Sequence, residues 1–261
     1  MSLASTTPQR LLMRSDDSLP WEDESVERLD AARRLLVGSY WRERASAELR
    51  VSAAFSELLG KLRAIDASPD VTSMLALSVD NELHHAAMCE RLATRYLGTP
   101  IPRPEPGPIH LPPLPQLDLP AQAMVYAAGM CAINESVATV WLELCLARSV
   151  VPLARAVNHV HLADEVVHAR VGWAHLASDG VTRDMRRELA RWLPPLLHAN
   201  IGQWLRATAV RDVSVPEHGI PDASDQRAQV LGAVNNVVLP GFHHVGVDIS
   251  CAIAWFRNQF S

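Results

Sequence analysis

Residues 161–168 read His161-Leu162-Ala163-Asp164-Glu165-Val166-Val167-His168, and residues 81–85 read Asn81-Glu82-Leu83-His84-His85. Helical side chains three or four positions apart return to one face. Glu82 therefore stands above His85, and His161, Glu165 and His168 share an arc of roughly 60°. Each Glu-x-x-His pair follows a helical segment with its own glutamate, Glu48 before the first and Glu135 before the second. This is the pattern of a carboxylate-bridged two-metal centre in a four-helix bundle. Four carboxylates in one core need counter-charge, and two divalent ions supply it.

Working outward, Ser25 to Ala64 carries one helical pattern with no proline. Ser68-Pro69-Asp70 supplies an N-cap followed by proline at the first helical position, so a second helix runs from there to about Leu97, before Gly98. With the turn near residue 66, Glu48 lies about 18 residues before it and the Glu82/His85 midpoint about 17.5 after, which puts them at one height in an antiparallel hairpin. Glu43 and Glu57 miss that height by about a turn or more. Helices over 121–149 and 152–178, the second ending at Asp179-Gly180, repeat the match. Glu135 lies about 15 residues before their turn and the Glu165/His168 midpoint about 16.5 after.

The segment 99–120 between the hairpins holds nine prolines and cannot be helical. In polyproline geometry it spans roughly 60 Å, against about 40 Å for a bundle helix. A crossover of that length between helices two and three predicts an all-α, ferritin-like four-helix bundle. Residues 181–261 add accessory helices: 182–193 and 194–208 meeting at Pro194-Pro195, then 224–238 and 247–260. Residues 1–24 are polar and read as a flexible arm, leaving 25–261 as one domain.

A chain of 261 residues that is 48% hydrophobic can bury a large core. Its formal charge of −5, without a long basic run, argues against nucleic acid as a partner. Cys89, Cys131, Cys145 and Cys251 form no C-x-x-C and read as reduced thiols of a cytoplasmic protein. The N-terminus has no secretory signal pattern, and the apolar run from Ala123 to Ile133 is too short to span a bilayer, so no membrane association is expected.

The general pattern resembles the ferritin-like di-iron superfamily. The run His161-x-x-x-Glu165-x-x-His168 resembles, more narrowly, the p-aminobenzoate N-oxygenase family. The resemblance covers roughly residues 30–260 and rests on seven ligand positions. It implies that Glu48, Glu82, His85, Glu135, His161, Glu165 and His168 bind two irons, cycling between Fe2+ and Fe3+, and that this di-iron centre is itself the catalytic group. The activity it implies is reductive activation of O2 with oxygen transfer to a small amine, fed by an external electron donor. Mixed carboxylate and imidazole ligands suit manganese as well as iron. A homodimer is the expected assembly, with the accessory helices available as its interface.

Asn81 and Asp164 each precede a ligand glutamate, which suggests hydrogen bonds to ligand histidines across the bundle. Small residues before Glu135, notably Ala128 and Cys131, leave room for a substrate or for close helix packing. His84 and His159 turn away from the ligand face. The same centre also serves C–H hydroxylation, desaturation, aldehyde deformylation or ferroxidase and iron storage, because the pocket decides what meets the oxidant.

Overall fold

The computed structural model describes residues 18–103, 114–210 and 214–260, with backbone alone for 207–210. Among these residues every regular element is helical. Helix α1 spans Ala31–Ala64, α2 Pro69–Leu97, α3 Leu119–Arg148, α4 Pro152–Ala177 and α5 Arg183–Val210. Then come α6 Ala223–Ala233, a π-helical turn Val234–Val238, α7 Leu239–His244 and α8 Ser250–Phe260.

Local chemistry sets these boundaries. Asp30 caps α1 by accepting from Arg33 N at 2.8 Å, and Asp118 caps α3 by accepting from Ala121 N at 2.9 Å. Pro69 and Pro152 open α2 and α4, and Gly98 closes α2 at φ 71°. Helix α1 starts six residues later than the sequence pattern suggests. Asp23 caps a separate 3-10 turn, Glu24–Val26, and Asp30 begins the helix anew.

Helices α1 to α4 pack around two apolar clusters with the polar residues between them. One cluster joins Phe55, Leu58 and Leu62 of α1, Val71 and Leu75 of α2, Ala123 to Val137 of α3, and Val171 and Leu176 of α4. The other joins Val37 to Ala45, Met88 to Tyr96, Trp141 to Cys145, and Leu153 to Val160. The first halves of α2 and α3 therefore share one end of the bundle and their second halves the other, so these two helices run parallel. The end of α2 at Leu97 and the start of α3 at Leu119 therefore lie at opposite ends of the bundle; residues 104–113 of the expected proline-rich crossover between them lie outside the described residues.

Two expectations need correction. Residues 18–24 are not a loose arm: Trp21 is buried, Arg91 lies over its ring at 4.0 Å, and Asp23 Oδ2 accepts from Leu153 N. Burial of one indole outweighs the polar composition around it; residues 1–17 lie outside the described residues. Pro194-Pro195 does not separate two helices, because α5 continues through both prolines. Leu189, Leu193, Leu197 and Ile201 are fully buried on either side, and that packed face holds the rod together where local propensity would break it.

Helix α3 is long and apolar enough to cross a membrane by length and composition, yet 61% of its apolar window is buried inside the protein. Its segment Ala127–Glu135 is π-helical and ends on a candidate ligand. Gly172 of α4 packs on that segment. A Cβ there would stand 2.9 Å from Ala127 O and Cys131 C, and closer still to Ala132 N.

Candidate metal centre

Glu48 from α1, Glu82 and His85 from α2, Glu135 from α3, and Glu165 and His168 from α4 converge between the two apolar clusters, all of them buried. They form two overlapping sets. Glu48, Glu82, His85 and Glu165 offer ligand atoms within 4.8 Å of one another, and so do Glu82, Glu135, Glu165 and His168. Glu82 and Glu165 belong to both, which is the arrangement two bridged ions require.

The histidines enter by the same ring nitrogen. His85 Nδ1 lies 3.5 Å from Glu82 and 3.7 Å from Glu165, while His168 Nδ1 lies 2.9 Å from Glu82 and 3.0 Å from Glu165. Their outer nitrogens face the two residues that precede the ligand glutamates. His85 Nε2 donates to Asp164 at 3.0 Å, and the Asn81 amide lies 3.5 Å from His168 Nε2. The Asp164 carboxylate can only accept, so it fixes the His85 tautomer that leaves Nδ1 free for a metal. Glu82 Oε2 and His85 Nδ1 are buried without a hydrogen-bond partner among the described residues. Orphaned buried polar atoms are costly, and ions between these carboxylates would satisfy both.

No family model, curated protein or solved structure matches this chain. The case for a metal site therefore stands on geometry and charge.

His161, the seventh expected ligand, belongs to neither of the two ligand sets; it forms a third group with Cys89 and Glu48, the latter a member of the first set. Its ring stacks on His85 at 4.1 Å between centroids, and its Nδ1 lies 3.7 Å from Glu48. Burial pushes the Cys89 thiol well above its usual range, so it stays protonated. Arg44 completes this corner with hydrogen bonds to Glu48, Asn158 and His161. It was not singled out from sequence, although its place one turn before Glu48 on the same face was the available signal.

A cavity of 440 Å³ opens beside the cluster and borders Glu48, Glu82, Glu135 and Glu165. Trp141, Trp204, Ala138, Leu142 and Ile220 give it apolar walls. Trp141 Nε1 donates to Gln226 and Trp204 Nε1 to Asn134, so both indole donors are already used. Of the two uses the sequence leaves open for Ala128 and Cys131, a pocket wall or close helix packing, the structure shows the second: both are fully buried in the core. The π segment they belong to packs against α4 at Gly172, so here small residues serve close helix contact. A second hollow of 530 Å³, bordered by His84, Met88, Arg155 and His159, touches none of the grouped ligands. His84 and His159 thus lie off the ligand face, as the helical wheel indicates.

Without metal the cluster is electrostatically frustrated. Burial, then repulsion from Glu82, pushes Glu48 up to about 8, and burial with Glu165 and Glu82 raises Glu135 well above the carboxylate range. Burial opposes ionisation of Glu82 too, but His168 and His85 outweigh it and hold that group well below its usual value. Burial would lower His85, yet hydrogen bonds to Asp164 and Glu82 carry it up to about 9. Burial, with the positive charge of His85 and Arg44 nearby, keeps His161 well below its usual value.

Groups raised in the folded state lose their stabilising effect as pH climbs from the unfolded pKa to the folded one. For Glu48 that window runs from 4.5 to about 8, and for His85 from 6.5 to about 9. His161 and Glu82, both lowered, act only on the acid side of their usual values. The metal-free protein is therefore expected to lose thermal stability from about pH 6 to about pH 9. Metal replaces the protons, so the loaded protein should melt at a nearly constant temperature across that range. Melting curves with and without a chelator check this, and parallel pH profiles would contradict it.

Proposed function

We propose that the chain is a ferritin-like, non-haem di-iron oxygenase that activates O2 and oxidises a small amine at nitrogen. The observation that carries this reading is the pair of overlapping ligand sets sharing Glu82 and Glu165, beside a cavity. Glu48 with His85 would hold one ion and Glu135 with His168 the other, with the two shared carboxylates between them; manganese fits the same donors. Two reduced irons there would supply the electrons that activate O2, and an external donor would restore them.

The protein's own residues do the rest. Asp164 and Asn81 orient the histidines, the apolar clusters keep bulk water from the carboxylates, and Trp141 and Trp204 flank a substrate approaching Glu135 and Glu165. The amine comes from the resemblance of the His161-x-x-x-Glu165-x-x-His168 run. A cytoplasmic setting fits four free cysteines, three of them buried. A homodimer remains part of the proposal.

The test is iron analysis of the purified protein, followed by O2 consumption after ferrous loading, with and without a panel of aryl and alkyl amines. About two irons per chain and amine-dependent O2 uptake yielding N-oxygenated product are expected. Ferrous oxidation indifferent to every amine would favour a ferroxidase, and oxidation at carbon would move the chain to the hydroxylase class. Absence of stoichiometric metal would sink the reading.

A further inference from the structure

The resemblance implies a three-histidine centre, but the third histidine is already engaged. Arg44 Nη2 donates to His161 Nδ1 at 2.6 Å, on the ring edge that faces Glu48. A guanidinium has donors and no acceptor, so this contact uses the Nδ1 lone pair, the same pair a metal ion would need. The neutral ring then carries its proton on Nε2, which is buried with no hydrogen-bond partner among the described residues.

Arg44 is not a loose cation filling an ion's place. Its Nη1 donates to Asn158 Oδ1 at 2.8 Å, and its guanidinium lies 4.9 Å from the Trp41 ring and 5.1 Å from the Trp141 ring. Asn158 is fixed in turn: its Nδ2 donates to Ser149 Oγ at 3.2 Å, and Gly219 (φ 85°) packs so close that a Cβ would stand 2.6 Å from that nitrogen. Helices α1, α3 and α4 and the loop at Gly219 thus hold the guanidinium through contacts that owe nothing to a metal.

We propose that Arg44 is a positioning residue that keeps His161 off the metals, so that the loaded centre takes two imidazoles, from His85 and His168, rather than three. His161 then acts as a hydrogen-bond acceptor that fixes the guanidinium against Glu48. The proposal rests on the two-metal reading of the site and departs from the ligand set of the family the sequence resembles.

Proton NMR of the protein loaded with Co2+ tests it, because a histidine bound through one nitrogen keeps an exchangeable ring N–H that the paramagnetic ion shifts far from the ordinary spectrum. The wild type should give two such signals, and His161→Gln the same two. Arg44→Met should add a third, which Arg44→Met/His161→Gln loses again. A third signal in the wild type that His161→Gln removes would overturn the proposal while leaving the two-metal centre intact. So would an Arg44→Met spectrum with only two. A chain that takes up no cobalt overturns both. Should Arg44→Met fail to fold, the comparison of wild type with His161→Gln decides alone.

Discussion

Glu165→Gln is expected to cost the protein both metal ions while leaving it folded. Glu165 is in both ligand sets, so its loss reaches two ions, whereas Glu48 or Glu135 each serve one set. Glutamine keeps the side-chain volume and removes the negative charge that a shared ligand must supply to each ion. The metal-free fold is spared, because glutamine fills the same volume and keeps a carbonyl oxygen to accept from His168, which lies 3.0 Å from Glu165. Metal at about 100 times its dissociation constant stabilises a protein by about 2.7 kcal/mol, which here corresponds to a melting temperature about 5–10 °C higher. The wild type should show that rise on ferrous loading and Glu165→Gln should show almost none. Iron content should fall from about two per chain to well below one. Glu143→Gln, at an exposed position on α3, is the control and should behave as wild type. Full iron content in Glu165→Gln would remove the shared carboxylate from the centre.

The second large effect is expected at a residue without a side chain. Gly172→Ala puts a Cβ against the backbone of the π segment, where no flexible side chain can give way. Either α4 or α3 must shift, and overpacking of this kind costs about 1–3 kcal/mol, or about 3–10 °C in melting temperature. The two helices carry Glu135, Glu165 and His168, so metal content should fall with stability. Gly60→Ala is the counterpart, since a Cβ there meets nothing within 4 Å. That change removes a helix-interior glycine and should be neutral or stabilising by up to about 1 kcal/mol. Equal melting temperatures for the two variants would refute the close contact at Gly172.

The convergence of six candidate ligands was legible in the sequence because it depends on two rigid regularities, helical spacing and equal distance from a turn. Asp66, at φ 51°, and the residues 149–151 place the turns where the counting needs them. Asp164 was legible for the same reason, since a residue beside a ligand on one helix faces the partner helix's histidine. Arg44 was hidden because α1 also carries Arg42 and Arg50, both exposed, and nothing in charge alone tells a buried arginine from its neighbours. Two tryptophans from different helices bury it, and that pairing exists only in three dimensions. For Ala128 and Cys131 the sequence left pocket lining and close helix packing equally open, because small size alone does not tell a cavity wall from a helix contact, and the close approach of Gly172 to this segment exists only in the fold.

The looser winding of Ala127–Glu135 makes α3 a rod with two phases. Upstream of Tyr126 its faces are set for packing against the core; downstream of Glu135 they are set so that Glu135, Ala138, Trp141 and Leu142 border the cavity. The π segment is the slack that reconciles them, a surplus of about one residue absorbed without a break in the chain. Removing one residue between Ala127 and Asn134 would let the rod return to even pitch with its two ends close to their present phase, whereas the same deletion in the regular helix downstream of Glu135 would turn everything after it by roughly 100°. The π segment is thus the one stretch of α3 that can lose a residue and still present Glu135 and the cavity face beyond it in the same direction.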